Sequence, residues 1–264
     1  MKKIALVLGV FLITQCAISQ SKFRFGLKAA PSINWLKPDD VKKFSNGGTT
    51  LGFNWGLTGE YALSDNFSFY GGLELNHEKG KVGFTVPAYY FMKKDFELVE
   101  TVENGGDYLP EDTSAYSMKL SNRTYKSTYV TLPFGIKMKT AEIGYMTYFG
   151  EFGLNLAFRT GTKIEDEATL EDPRATASDA ANYNNLSDVN YDRDMQPIRV
   201  QLRVGLGTEY KISEGTSLFG GFHYNLGFTN VVKGDSRFLI NDDAKQVSQK
   251  FSAHGLQLTV GVLF

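Results

Sequence analysis

The 264-residue sequence is poor in cysteine, proline and histidine, with 1, 7 and 3 of these residues respectively. Its single cysteine, Cys16, lies close to the N-terminus, so disulfides cannot stabilise the rest of the chain. The formal net charge of −1 excludes the strongly basic surface of a nucleic-acid-binding protein, and we expect no nucleic-acid partner. Past the N-terminal segment there is no apolar run of the about 20 residues that a transmembrane helix requires.

The N-terminus has the pattern of a secretory signal peptide. Two lysines precede the apolar residues 4–13, and small residues follow before the expected cleavage site. We therefore predict a signal peptide over residues 1–19 and one β-barrel domain over residues 20–264. Cys16 leaves lipidation as an alternative, but Gln15 stands where lipoprotein signals normally require a small residue.

The dominant pattern of the sequence is the alternation of apolar with small or polar residues, which is clearest in its last ten residues. Every second residue is apolar, ending in an aromatic: Leu256, Leu258, Val260, Val262 and Phe264. The residues between them are mostly small or polar, and a period of two places the two rows on opposite faces of a strand. The pattern resembles the final strand of bacterial outer-membrane barrels, in which a C-terminal Phe is the usual assembly signal. That likeness gives Phe264 this role.

Seven further segments alternate in the same way. With the last ten residues they cover 23–35, 51–62, 67–76, 130–138, 148–158, 198–210, 218–228 and 255–264. Long and short connections alternate between them, which in outer-membrane barrels places the long loops outside the cell and the short turns in the periplasm. Pro31 interrupts the first segment and predicts a bulge, because proline cannot donate a hydrogen bond to a neighbouring strand.

Charged side chains fall on the row opposite the apolar one in every segment. A soluble β-sandwich also alternates, with its apolar rows facing inward. The terminal Phe264, the alternation of loop lengths and the aromatic residues at strand ends favour a membrane instead. We predict an all-β fold: an eight-stranded antiparallel up-and-down transmembrane β-barrel with long extracellular loops. Ten strands is the alternative, but residues 81–86 and 116–120 are better read as strands continuing above the membrane.

Three motifs and the closing strand resemble a known family. Residues 25–31, 129–137 and 224–230 look like the PorT-like outer-membrane β-barrel domain, often labelled "porin family", of Bacteroidetes-type bacteria. The resemblance implies location in the bacterial outer membrane, contact with its lipid and lipopolysaccharide, and recognition of the closing strand by the barrel-assembly machinery. The N-terminal stretch distinctive of PorT itself is not evident, so its secretion role is not transferred.

An eight-stranded barrel is just wide enough for its own side chains to fill the interior. The inward row carries acids and bases in near balance, and buried charges persist only when paired. We predict a salt-bridged plug, with a narrow channel for ions or small solutes as the alternative. The predicted interior charge network consists of Arg24, Lys28, Glu60, Glu74, Glu151, Arg159, Arg199, Arg203 and Glu209.

The long loops are the expected place for partner binding, because loops on a rigid scaffold usually carry it. Tyr89, Tyr90 and Phe91 are the predicted exposed contact surface for an unidentified envelope protein. Residues 188–194 superficially match the opening of a calcium loop, but Arg193 stands where the template requires glycine. A solvated acidic loop is therefore favoured.

No catalytic residue, metal or cofactor is predicted. Ser252 and His254 share the lipid-facing row, a spacing similar to the serine–histidine pair of lipid A deacylases, and a lipid-modifying enzyme is the remaining alternative. No acid is placed to orient His254, as a nucleophile–base pair requires. His223 is predicted to be a hydrogen-bonded interior residue.

Overall fold

A computed structural model describes residues 22–176 and 185–264; the predicted signal peptide and Cys16 lie outside them. Eight long strands dominate the structure: β1 (Phe23–Pro38), β2 (Thr50–Ala62), β3 (Phe67–Phe84), β4 (Tyr116–Lys139), β5 (Met146–Leu170), β6 (Ile198–Lys211), β7 (Ser217–Gly227) and β8 (Phe251–Leu263). Each pairs antiparallel with its sequence neighbours, and β8 pairs with β1. The sheet therefore closes into the predicted eight-stranded up-and-down barrel, and the ten-stranded alternative is wrong.

The outside of the barrel carries an apolar belt. Large hydrophobic side chains are exposed on the outward row of every strand, among them Phe25, Leu27, Trp55, Leu57, Phe69, Phe134, Ile136, Phe152, Leu206, Phe222, Leu258 and Val260. The inward rows are polar, as the alternation predicted. Such a belt around a polar interior is the arrangement of a transmembrane barrel.

The N- and C-terminal strands meet at the turn end of the barrel. The Phe264 N–H donates to the Phe25 carbonyl at 2.7 Å, and their ring centroids lie 5.8 Å apart. The predicted bulge at Pro31 is wrong. Pro31 faces outward opposite Phe53, and the β1–β2 register continues through it without a shift. Pairing of β1 with β8 is interrupted at Ala30 and Pro31 and resumes in the same register, so the missing donor is accommodated locally.

Strands β3, β4 and β5 project well beyond the belt. β4 and β5 have 24 and 25 residues, whereas crossing a membrane takes about 9–11. The projection of β3 and β4 was predicted. Residues 161–170 were predicted as loop and are instead strand. Bulges between Arg159 and Gly161 on β5 and opposite Ala168 on β4 shift which residues face inward.

The long connections fold over one end of the barrel, and the turns at 63–66, 140–145 and 212–216 lie at the other. Their short elements are the strands Phe44–Asn46, Tyr89–Met92, Leu98–Val99, Thr101–Asn104, Asp107–Pro110, Asn185–Asn190, Asp235–Ile240 and Gln246–Ser248, and the 3-10 helix Asp192–Asp194. We call these connections, with the projecting ends of β3, β4 and β5, the cap. In the described part of the chain, no helix is both long and apolar enough to cross a membrane.

The cap has its own hydrophobic core. Each of the four long connections contributes buried residues, for example Phe44, Met92, Met195 and Leu239. The projecting strands add others, including Val82, Met118, Leu120, Tyr125 and Ile164. The extracellular loops are therefore one packed structure seated on the barrel mouth.

Candidate functional site

The barrel interior contains a cluster of five charged side chains near its turn end. Glu209 accepts a hydrogen bond from Arg24 at 2.7 Å, and its carboxylate forms ion pairs with Lys137 at 2.8 Å and Lys139 at 2.9 Å. Both lysines also contact Glu60. Except for the partly exposed Arg24, these side chains are buried. Two carboxylates are thus held by three cations, and every charge has a partner.

A second cluster lies above the first, toward the cap. Glu74 is 2.6 Å from the Lys28 ammonium and 3.4 Å from the Arg203 guanidinium. Glu151 lies 2.9 Å from His223 Nε2 and 3.9 Å from Arg203 Nε. His223 is an interior hydrogen-bonded residue in this structure. The two clusters together span the middle of the barrel.

Aromatic rings fill the remaining cross-section. The Lys137 ammonium, which also lies 3.6 Å from a Glu151 oxygen, sits 3.8 Å from the centroid of Phe149. Phe149 and Phe219 pack where the facing positions are Gly207 and Gly261, at which a Cβ atom would come within 2.4 Å of the rings. The space beside Lys28 and Glu74 leaves no room for a water molecule. This part of the barrel is filled by side chains.

The predicted charge network is brought together except at its upper edge. Arg199 pairs with Glu78 at 2.8 Å and lies over the Tyr129 ring, a step above the second cluster. Arg159 does not join the network. It binds Asp192 of the third long connection, because the β5 bulge next to it places it at the barrel rim.

Three members of the network were missing from the prediction: Lys137, Lys139 and Glu78. Lys137 lies on the inward row of the predicted segment 130–138. Lys139 shares the inward row of Lys137, two residues away on β4, and Glu78 continues the inward row of Glu74 on β3. Both could have been found by extending the alternation past the ends of the predicted segments. They were missed because the predicted strands were too short, although the predicted alternation was correct.

A buried ion pair lies in the centre of the cap. Arg123 donates to both carboxylate oxygens of Asp166, at 2.7 and 2.6 Å, and neither side chain is exposed. The guanidinium lies 4.5 Å from the Tyr191 ring centroid and 5.5 Å from that of Tyr90. This pair was not predicted, because residues 161–170 were expected to form a loop.

The predicted aromatic contact surface is only partly exposed. Tyr90 is fully buried, which corrects the prediction: it alternates with its neighbours on a short strand paired to β4 and so points into the cap core. Tyr89 and Phe91 lie on the other face and are half-buried. At most these two of the three residues face outward.

A groove of about 480 Å³ runs along the outer surface of the cap. Phe96, Leu98 and Phe238 line one side of it, and residues 187–190 line the other. The latter belong to the strand Asn185–Asn190, which pairs with β5 and ends the sheet in the described structure. A nearby hairpin exposes the apolar pair formed by Val102 and Leu109.

The acidic segment 188–194 forms hydrogen bonds and an ion pair with other residues of this chain. Asp192 accepts from the Thr162 backbone N–H at 2.7 Å and pairs with Arg159. Asp194 is buried and accepts from the Tyr191 hydroxyl at 3.0 Å. No group of three or more residues suited to a metal ion is found in residues 22–176 and 185–264. Asp192 and Asp194 therefore accept from donors within the cap, and the predicted solvated loop is wrong for the buried Asp194.

Ser252 and His254 lie in contact on the outer face of β8. Ser252 Oγ is 3.0 Å from His254 Nε2, and His254 Nδ1 is 3.5 Å from the Tyr224 hydroxyl. The imidazole stacks on Trp35 with centroids 6.0 Å apart. In the described chain its partners are thus hydroxyls and an aromatic ring.

Comparison with known proteins gives one family match and several distant structural likenesses. The chain is similar to Neisserial surface protein A (12% identity, TM-score 0.41, 91% of this chain and 95% of that one). It is also similar to OprG from Pseudomonas aeruginosa (14% identity, TM-score 0.36, coverage 92% and 95%). A third likeness is to Ail, the attachment invasion locus protein of Yersinia pestis (12% identity, TM-score 0.36, coverage 92% and 99%). No curated protein sequence matches.

The family is established by sequence. The family model described as "Outer membrane protein beta-barrel domain" matches residues 18–233. That span covers β1 to β7 and most of the cap. The chain therefore belongs to the outer-membrane protein β-barrel domain family, and it is a protein of the bacterial outer membrane.

Proposed function

We propose that this chain is a non-enzymatic, PorT-like barrel whose closed interior serves as a rigid anchor for a partner-binding cap. The observation that carries the proposal is the packed core of the cap, to which all four long connections contribute. Loops selected only to shield the barrel mouth need no such core. A folded cap fixes the positions of its surface residues, and a rigid scaffold beneath binding loops is a common arrangement.

The interior supports an anchoring role over a transport role. Its charges are paired in two clusters, and its aromatic rings occupy the space between them. A conducting route would have to break several buried ion pairs. Leaving one partner of such a pair buried and uncompensated costs several kcal/mol. The cap core closes the extracellular side as a second layer.

The outer groove is the part of the cap best suited to a protein partner. It combines the exposed Phe96 and the partly buried Leu98 with the charged Arg193. The strand Asn185–Asn190 lies along it with its outer edge unpaired in the described structure. Extended peptides commonly bind by adding to such an edge. An extended segment of an envelope protein with apolar side chains would fit both features.

The test is crosslinking in the native envelope followed by purification of the tagged protein. The variant Phe96→Ser/Val102→Ser/Leu109→Ser alters the cap surface, and Asp65→Ser/Glu214→Ser alters the periplasmic turns as the control. We expect a partner that is captured by the wild type and the control and is lost from the cap variant. Equal capture by all three proteins would contradict the proposal, as would capture of no protein by the wild type.

A further inference from the structure

Three lysines lie side by side on the outer surface of the barrel, on adjacent strands. In the strand register Lys79 of β3 is directly opposite Lys126 of β4, and Lys126 is directly opposite Lys163 of β5. Directly opposed residues on antiparallel strands share a face, and these three face outward. We propose that this lysine ladder binds a phosphorylated headgroup of an outer-leaflet lipid.

The ladder places like charges opposite one another, and only its central lysine is paired within the described chain. Strands are about 4.8 Å apart, so the three α carbons span roughly 10 Å, and like charges directly opposite one another destabilise a sheet. Lys126 is balanced by Glu165 and by Asp188, the latter at 3.3 Å. In the described chain the flanking Lys79 and Lys163 have no carboxylate partner. Lys79 and Lys163, one on each side of the paired Lys126, therefore remain available to bind an anion.

A surface cavity of about 450 Å³ is centred on the ladder. Its lining includes all three lysines and the outward-facing hydroxyls of Thr128 and Thr160. It also includes the carboxylates of Glu78 and Asp192, which pair with Arg199 and Arg159 respectively. His77 is part of the lining, and its Nδ1 lies 3.2 Å from the Thr128 hydroxyl. Ammonium, hydroxyl and imidazole groups around a concave surface are donors suited to phosphate oxygens.

The height of the ladder matches the lipid headgroups. Leu75, Val130 and Phe158 are paired across the same three strands and form the last apolar row of the belt here. Lys79 lies four residues beyond Leu75, or roughly 13 Å along the strand, which the strand tilt reduces to about 10 Å of height. Long lysine side chains can bend back toward the interface. The ammonium groups can therefore reach the level of the phosphates.

The test measures lipid binding by native mass spectrometry of protein released from detergent micelles. Diphosphoryl lipid A is compared with lipid A from which the phosphates have been removed. The wild type is expected to retain the phosphorylated form preferentially, and Lys79→Gln/Lys126→Gln/Lys163→Gln is expected to bind it about tenfold or more weakly. Excess inorganic phosphate should not displace the lipid, since the acyl chains also bind the belt.

The matched control is Lys42→Gln/Lys43→Gln/Lys250→Gln, which removes the same charge from the first and last long connections. It should bind as the wild type does. A Lys→Arg triple variant of the ladder should also retain binding. Heat-modified gel migration shows whether each variant folds, and lipid A should raise the melting temperature of the wild type more than that of the Gln ladder variant. Equal binding of both lipid forms by the wild type, or equal losses in the two Gln variants, would overturn the proposal.

Discussion

Arg123 and Asp166 face each other in a bidentate salt bridge at the centre of the cap, and neither side chain has any exposure. The pair joins the projecting ends of β4 and β5. Its guanidinium also lies over Tyr191 of the third long connection and near Tyr90 of the second. One ion pair therefore connects two strands with two of the loops.

Removing one partner should loosen the cap and spare the barrel. Asp166→Leu leaves Arg123 as an uncompensated buried charge, a change that typically costs about 3–5 kcal/mol. We expect faster proteolysis of the loops with unchanged heat-modified migration of the barrel. The double variant Arg123→Met/Asp166→Leu should be less sensitive than the single one. A double variant that is at least as sensitive would show that the pair itself stabilises the cap.

Lys137→Met should destabilise the barrel. Lys137 contacts Glu60, Glu209 and Glu151 and is almost completely buried, so its loss concentrates negative charge in the interior. We expect a decrease of about 3–5 kcal/mol in the free energy of unfolding, measured by urea titration in lipid vesicles.

The control for this change is Lys211→Met. Lys211 pairs with Glu142 at 3.3 Å on the surface, where such pairs contribute about 0–1 kcal/mol. Similar losses in the two variants would contradict the interior assignment.

The refolded protein should show no discrete conductance steps in a planar bilayer. Deleting the cap segment 85–115 should leave the bilayer equally silent, because the two charge clusters and Phe149 still fill the barrel. Steps from the wild type would refute the plug. Conductance steps seen only in the deletion variant would show that the cap, and not the interior, closes the barrel.

Acid should release a contact between the start of β4 and the third long connection. Asp172 accepts from the Arg174 side chain at 2.9 and 2.7 Å and from the Ser117 backbone N–H at 3.2 Å. These hydrogen bonds, chiefly those from Arg174, lower the pKa of Asp172 from 3.8 to about 2. Because the folded-state pKa is the lower one, the stabilisation is complete above about pH 4 and is lost as the pH falls toward 2.

Amide exchange of Ser117, corrected for the intrinsic pH dependence, provides the measurement. We expect protection to fall across that interval in the wild type. In Asp172→Asn the step should be absent. A pH profile shared by both proteins would assign the change to another group.

The barrel could be predicted from sequence because lipid imposes a strict rule on every strand. Leu258 and Val260 must face acyl chains while Gln257 and Thr259 face inward, and a single slip would exchange the two faces. The cap obeys no such rule. Its inward residues include apolar ones such as Ile164, and the bulge before Gly161 changes their parity. The sequence pattern consequently looks like a polar loop there.

Site prediction succeeded where residues repeat the barrel's alternation and failed where contacts are made across distant loops. Glu74 and Arg203 could be placed inside by parity alone, although their partners could not be assigned. The burial of Tyr90 depends on its pairing with β4, and the position of Arg159 depends on Asp192 from another connection. Neither contact can be inferred from the residues that are adjacent in the sequence.

The cap core also constrains the order of assembly. Phe44, Met92, Met195 and Leu239 come from four different connections and pack into one core together with residues of the projecting strands. A segment still on the periplasmic side has no such neighbours. The core can form only after every connection has been translocated, so surface folding is the final step of biogenesis, and an epitope on the finished cap would report completed insertion.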